Sequence, residues 1–493
     1  MGRVRGSKAV VYRLKSFRRM SQPTTHITGP RVLRIDARAI LDAGACSSGF
    51  GGGGREGGGA SLLLEVLPPD RIGQDGFRLR TLAVGRTLEV LSHEAAKLET
   101  TRVIARPGAI LIPGLVNAHT HLDLTHIGPR PHDPAAGFVP WIDMVRTSRY
   151  SDEDDIAASV RRGVDLSLAA GTVAIGDIAG APAGRMSLVP WRTLRSTPLR
   201  GVSYIEFFGI GKTRDLRATG LECLISEVAH EACGFRAMRL GLQPHAPNTV
   251  SKHLYALAAR LAMALPGAPT CTHLAETPEE HEFIATATGP QRELLERFGI
   301  WDESILTELG RGEHPVQHLR EVLTEKRFAV AHVNDAPDPA IEILAQTQTR
   351  VVYCPRASAY FGAETHFGPH RYQDMLGAGI PVALGTDSLV NLPPEAGMLP
   401  SEHPSGRGMS ILEEMRFLHA RDRTDPVRLL RMATIHGATA FGLDPDAFTF
   451  TPGAPLAGLL AVGGGETAAD PIRPGPIGEA LMKEGQGVEL LLM

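Results

Sequence analysis

A chain of 493 residues is long enough for a large domain with a smaller one beside it. Its formal net charge of −3, with no block of like charge through its body, gives no footing for nucleic acid or a membrane surface. The five cysteines (Cys46, Cys223, Cys233, Cys271 and Cys354) are scattered without a CxxC pair, and no apolar run reaches the ~20 residues of a membrane span. A disulfide framework and a transmembrane anchor are therefore not expected, and a reducing cytoplasm fits best.

The N-terminus is basic through Arg3, Arg5, Lys8, Arg13, Lys15, Arg18 and Arg19, yet lacks the apolar stretch and small-residue cleavage site of a secretory signal. Residues 1–26 are expected to be a disordered tail, with Met20 as an alternative start. Residues 27–108 hold short strand-like stretches, Arg31–Ile35, Ser61–Val66 and Thr100–Ile104, and suggest a small β unit. Within it the glycine-rich run 49–59 cannot pack a core and is expected to be a loop.

From Ala109 onward short apolar runs alternate with helix-length segments. The runs are Ala109–Val116, Thr172–Ile178, Leu199–Phe207, Arg236–His245, Pro269–Glu276, Arg327–Val333, Arg350–Pro355 and Pro381–Asp387. Helices are expected at Ile156–Ala170, Leu216–Ala232, Ser251–Leu265, Glu279–Phe298, Ala340–Gln346 and Arg371–Ala378. Buried parallel strands read as continuous apolar runs, and eight βα units predict an α/β (β/α)₈ TIM barrel over 109–445. An open doubly wound sheet is the alternative. Further helices are expected at Ile411–Leu418 and Pro426–Ala433. The strand-like pieces Gly458–Val462 and Val488–Leu492 suggest that 446–493 rejoins 27–108 in a small β-sandwich built from both chain ends.

The chemistry begins in Pro113-Gly114-Leu115-Val116-Asn117-Ala118-His119-Thr120-His121. In an extended segment, residues i and i+2 point the same way, so His119 and His121 can offer two imidazoles to one ion. Alone, such a pair is as readily two turn histidines. His273, His332 and Asp387, however, fall at or near the ends of the fifth, sixth and eighth runs, where barrel active sites are built. Singly, His332 could be a core histidine and Asp387 a turn cap; together they point to a metal site. Glu276, three residues past His273, can shuttle a proton or form a salt bridge. His245, closing the fourth run, can contact substrate or serve structure.

As an ordered set these motifs resemble the amidohydrolase superfamily over roughly residues 105–445. They are Pro-Gly-Leu-Val-Asn-Ala-His-Thr-His (113–121), Pro-His-Ala-Pro (244–247), His-Leu-Ala-Glu (273–276), Ala-His-Val-Asn (331–334) and Gly-Thr-Asp-Ser (385–388). The resemblance is closest to its aminohydrolase branch of S-adenosylhomocysteine/methylthioadenosine, guanine and aminofutalosine deaminases and triazine chlorohydrolases. It implies that His119, His121, His273 and Asp387 bind one divalent metal, Zn²⁺ or alternatively Fe²⁺. It further implies that Glu276 shuttles protons, that His332 contacts the attacking water or the substrate, and that His245 contacts the substrate. His245 stands where binuclear relatives place a carboxylated lysine, which favours a single metal.

Asp387 would share in the proton transfers. Trp141, Arg356 and Ser388 are expected near the substrate, with Trp141 and Phe361 equally readable as ordinary packing. The expected activity is hydrolytic deamination of a purine-like N-heterocycle, of the adenosine-derivative or aminofutalosine type. The alternatives are a cyclic amidine or amide hydrolase or chlorohydrolase on the same scaffold, and a non-catalytic homologue. A small heterocyclic substrate is the expected partner, with no nucleic acid and no membrane; a homo-oligomer is compatible with the sequence. The acid usual in the family's C-terminal strand is missing from Leu456-Ala457-Gly458-Leu459.

Overall fold

The computed structural model describes residues 32–44, 50–51, 59–68, 72, 76–95, 101–233, 237–265, 268–463, 477–483 and 486–493. The basic tail and most of the glycine-rich run lie outside these residues. In chain order the strands are β1 (Val32–Ile40), β2 (Phe50–Gly51), β3 (Ala60–Val66), β4 (Leu79–Arg86) and β5 (Thr101–Pro113). Then come β6 (Leu115–Thr120), β7 (Thr172–Ala179), β8 (Arg200–Phe207), β9 (Met238–Pro244), β10 (Thr270–Leu274), β11 (Phe328–His332), β12 (Arg350–Tyr353) and β13 (Val382–Leu384). The chain closes with β14 (Pro455–Leu456), β15 (Leu459–Val462) and β16 (Val488–Leu492).

β6 to β13 pair in sequence order, all parallel, as a (β/α)₈ barrel requires. Alternate residues of the late strands divide between two apolar clusters. Phe328, Val330, Val351, Val382 and Leu384 join one; Ala329, Val352 and Ala383 join the other. This is the two-residue period of a strand covered on both faces. Each large side chain so buried contributes about 1.5–3 kcal/mol to keeping the strands together.

The ring closes between the first strand and the end of the last. The amides of Thr386 and Asp387 donate to the carbonyl of His119 at 3.1 and 3.0 Å, and the amide of His121 donates to the carbonyl of Asp387 at 2.7 Å. Asn117 and Thr386 reinforce this seam. Asn117 Nδ2 donates to Thr386 Oγ1 at 2.8 Å, and the Thr386 amide donates back to Asn117 Oδ1 at 3.1 Å.

The remaining strands form one mixed sheet in the order β14-β4-β3-β1-β5-β15-β16, with β2 paired to β1. It carries its own core of Leu33, Ile35, Leu62, Leu64, Leu111 and Leu459. The two chain ends do meet, because β15 runs antiparallel to β5. This is the small β domain expected from both chain ends, built on one continuous mixed sheet. β4 was not expected: Arg80, Thr81, Gly85 and Arg86 break its apolar pattern.

Two other elements differ from expectation. The run Ala109–Val116 is two strands, β5 ending at Pro113 and β6 starting at Leu115. It stays apolar across the break, so periodicity cannot mark the passage between sheets. Gly114 makes the crossing, since a methyl there would lie 2.5 Å from Val173 Cγ2. The expected helix Glu279–Phe298 is two, Pro278–Thr286 and Pro290–Arg297. Ala287 turns left-handed at φ 56° and Pro290 restarts the helix. Among the described residues, no helix is long and apolar enough to cross a membrane.

Candidate active site

Three strand ends turn abruptly to present their chemistry. Ala275, His332, Val333 and Asp387 have φ of 53°, 75°, 51° and 60°, a left-handed conformation that costs a residue with a side chain. These turns follow β10, β11 and β13 and aim Glu276, His332 and Asp387 at the same mouth of the barrel as His119, His121 and His273.

The structure brings these residues together. Asp387 Oδ1 lies 3.6 Å from His119 Nε2 and 3.5 Å from His121 Nε2. The rings of His119 and His273 are 4.9 Å apart, and those of His119 and His332 are 5.3 Å apart. His119 is fully buried and neither of its ring nitrogens has a hydrogen-bond partner. His121 Nδ1 and His332 Nε2 are equally unpartnered. Buried polar atoms without partners are costly, and a cation accepting their lone pairs removes that cost. His273 Nδ1 donates to the carbonyl of His245 at 3.0 Å, which leaves Nε2 as its lone-pair nitrogen. A set of neutral imidazoles and one carboxylate, closely packed and buried, fits a divalent transition metal. Burial holds His119 and His273 neutral, with pKa lowered to about 3, and pushes the Asp387 carboxyl up to about 7.

Glu276 stands beside this cluster, with Oε1 3.6 Å from His332 Nε2. Burial first, then the neighbouring Asp387, Glu280 and Glu279, raises its carboxyl well above the ordinary range. Such a group can hold a proton near neutral pH and pass it on. Its backbone is fixed from two sides. The Ala275 and Glu276 amides donate to Glu280 at 2.9 and 2.8 Å. Asn334 Nδ2 donates to the Glu276 carbonyl at 3.0 Å, while Ser358 Oγ donates to Asn334 Oδ1 at 2.7 Å.

His245 follows β9 with its ring 4.9 Å from that of His273, close enough to share one ligand. Trp141 stacks with Phe138 at 5.1 Å and meets Phe361 edge-on at 5.2 Å, forming an aromatic group with Tyr360. Two expected substrate contacts are instead committed to the scaffold. Arg356 Nε donates to the buried Glu414 at 2.7 Å and Nη2 to the Ser410 carbonyl at 3.1 Å, which ties down helix Ile411–Asp422. Ser388 Oγ donates to Asn391 Oδ1 at 2.6 Å and caps the turn Leu389–Asn391.

Sequence reasoning missed Asn334, Glu280 and His370, whereas Tyr360 lies in the stretch Tyr360-Phe361-Gly362 after the seventh run, where a substrate loop is expected. His370 Nδ1 accepts from the Tyr372 amide, so its Nε2 donates to the His332 carbonyl at 2.9 Å. Tyr360, its phenol pushed up to about 12 by burial, remains a proton donor within the field of Asp387. Buried carboxylates also line the adjoining strand ends. Asp177 and Glu206 are pushed to about 7, chiefly by burial. The signal for Glu206 was legible: an acid inside the apolar run Tyr204–Phe208.

Comparisons with known proteins bear on the family and the fold. The model of the amidohydrolase family matches residues 110–462. An aminodeoxyfutalosine deaminase of Deinococcus radiodurans is 30% identical over 381 residues, covering 73% of this chain and 81% of its own. Aminofutalosine deaminase of Helicobacter pylori, solved in complex with methylthio-coformycin, superposes with a TM-score of 0.68 at 16% identity, covering 93% of this chain and 98% of that one. An atrazine chlorohydrolase of Arthrobacter aurescens complexed with zinc superposes with a TM-score of 0.62 at 17% identity, covering 92% and 91%.

Proposed function

The chain belongs to the amidohydrolase family, and on that footing we propose that it is a mononuclear deaminase of a purine-like N-heterocycle, of the adenosine-derivative or aminofutalosine type. The observation that carries this reading is the buried cluster in which His119 lies beside His121 and Asp387 on one side and His273 on the other, with Glu276 next to it. Those four residues would hold one divalent ion. Zn²⁺ fits neutral imidazoles with one carboxylate, and the zinc-bound fold relative supports that choice. When bound, the ion supplies Lewis acidity, which lowers the cost of ionising a water near neutral pH.

The chain's own residues move the protons. Glu276 takes one from the attacking water and delivers it to the ring nitrogen next to the amine-bearing carbon. Asp387 takes the second and returns it to the departing amine, so that ammonia leaves and a ring carbonyl remains. His332, with Nε2 free and 3.6 Å from Glu276, steadies the oxygen at the reacting carbon. His245 and the aromatic group around Trp141 face the heterocycle. Residues 115–445 are the catalytic unit in this reading, and the described parts of 32–113 and 446–493 the supporting one. The free thiols of Cys271 and Cys354, both buried, suit a cytoplasmic enzyme.

The test is a panel of adenosine derivatives, aminofutalosine, guanine, cytosine and triazines, scored for ammonia and chloride together with metal content. Ammonia from a purine-like member supports the proposal. Chloride release or ring opening without ammonia points to the other leaving-group chemistry on this scaffold. Protein that purifies and reloads without metal overturns the metal site.

A further inference from the structure

The third barrel strand ends in an acid that the mechanism leaves unused. Glu206, near the end of β8, is 2% exposed. The Ala181 amide donates to its carboxylate, yet Oε1 has no hydrogen-bond partner. Nor is Glu206 needed to neutralise the nearby Arg149. That guanidinium already pairs with Asp123 at 3.2 Å, packed over Gly180 so closely that a methyl there would lie 2.5 Å from Arg149 Nη2.

A carboxylate oxygen of Glu206 lies within 4.8 Å of a ring nitrogen of His245 and one of His273. The tautomer of His245 follows from its neighbour. Thr249 Oγ1 donates to the Ala246 carbonyl at 3.1 Å and lies 2.7 Å from His245 Nδ1, from which it accepts when its hydrogen is so placed. We assign the ring hydrogen to Nδ1 on this pairing, which leaves Nε2 to offer a lone pair. His273 adds no third acceptor in this reading, because its Nδ1 donates to the His245 carbonyl and its Nε2 is assigned to the ion shared with His119, whose ring lies 4.9 Å away. Two acceptors thus stand side by side at the mouth of the barrel, one of them buried and unsatisfied. Two protein ligands make a poor cation site but a good seat for paired donors.

We propose that Glu206 and His245 form a subsite for two adjacent hydrogen-bond donors on the substrate, supplied by a sugar diol or by an amino group on the heterocycle. The assignment rests on the deaminase reading for the kind of molecule bound. Glu206 is then a specificity-determining residue: it selects which substrates are held and takes no proton in the reaction.

The experiment measures binding by calorimetry, and ammonia release separately, on the metal-loaded full chain and its E206Q and E206A variants. The probes are an adenine nucleoside, its 2′,3′-dideoxy analogue and the free base. The expected result is a loss of nucleoside affinity of about tenfold to a hundredfold in E206A and a smaller loss in E206Q. Melting temperature and metal content should be unchanged. If the dideoxy analogue shows no such loss, the donors are the sugar hydroxyls; if the free base shows the loss in full, they are the amino group. Equal binding of all three probes to every variant overturns the subsite. So does failure of the wild type to bind any probe. One metal ion fewer per chain in E206A also overturns it, by making Glu206 a metal ligand. Absence of ammonia from wild-type enzyme that still binds overturns the deaminase reading alone.

Discussion

Glu276 does its work through a raised proton affinity and a fixed position, and these can be separated by mutation. Glu276→Gln keeps the side-chain size and removes the titrating oxygen. Ammonia release should fall by about 10²–10⁴-fold while metal content is retained. Near-normal turnover in this variant would remove Glu276 from the mechanism. Position is tested at Asn334, whose amide grips the Glu276 carbonyl and is itself held by Ser358. Asn334→Ala should lower kcat by about tenfold or more, with KM and metal content nearly unchanged. A rise in KM alone would mean that Asn334 acts on substrate binding. Asn334 lay inside a motif quoted from the sequence, yet its role was hidden: it depends on two turns about 60 residues apart meeting in space.

At the scale of strands, legibility followed burial. β7 to β13 were readable because parallel strands covered on both faces are continuous apolar runs, and the metal-compatible residues fell at their ends. The same rule misplaced the first strand, since the apolar run crosses Pro113 and Gly114 without a polar signal. β4 was unreadable because Arg80, Thr81, Gly85 and Arg86 interrupt its apolar residues. The closure of the ring has no local signature at all, being made by backbone groups of His119, His121 and Asp387. Gly385 tests it. A methyl there would lie 2.9 Å from the His119 carbonyl oxygen, from His119 Cβ and from Cys354 Sγ. Gly385→Ala should push β13 away from β6 and weaken metal affinity by about tenfold or more, read by chelator competition. Unchanged affinity would show that the seam yields without disturbing the ligands.

For the whole molecule, buried titrating groups set opposing pH dependences. His318 is 1% exposed and held neutral with a pKa of about 3 by burial. The unfolded chain takes up that proton below about 6.5, so His318 removes stability as pH falls from about 6.5 toward 4. Asp177 has the reverse sign. Its carboxyl, raised to about 7, is protonated in the fold before it is in the unfolded chain, and so adds stability over the same interval. Denaturant melts at pH 7 and 5 should therefore diverge. His318→Gln should lose less stability on acidification than the wild type, and Asp177→Asn more, each by up to about 1.4 kcal/mol per pH unit. Parallel pH profiles for all three proteins would contradict these assignments. The seam also bears on how the protein is made. The residues that close the ring are the proposed ligands themselves, and they come from positions 119–121 and 387. A ribosome-bound chain shorter than 387 residues lacks the Asp387 carboxylate and its backbone bonds to β6, so it cannot offer the finished site. Metal acquisition becomes a late event in biosynthesis, and retained metal in a nascent chain would report that the barrel has already shut.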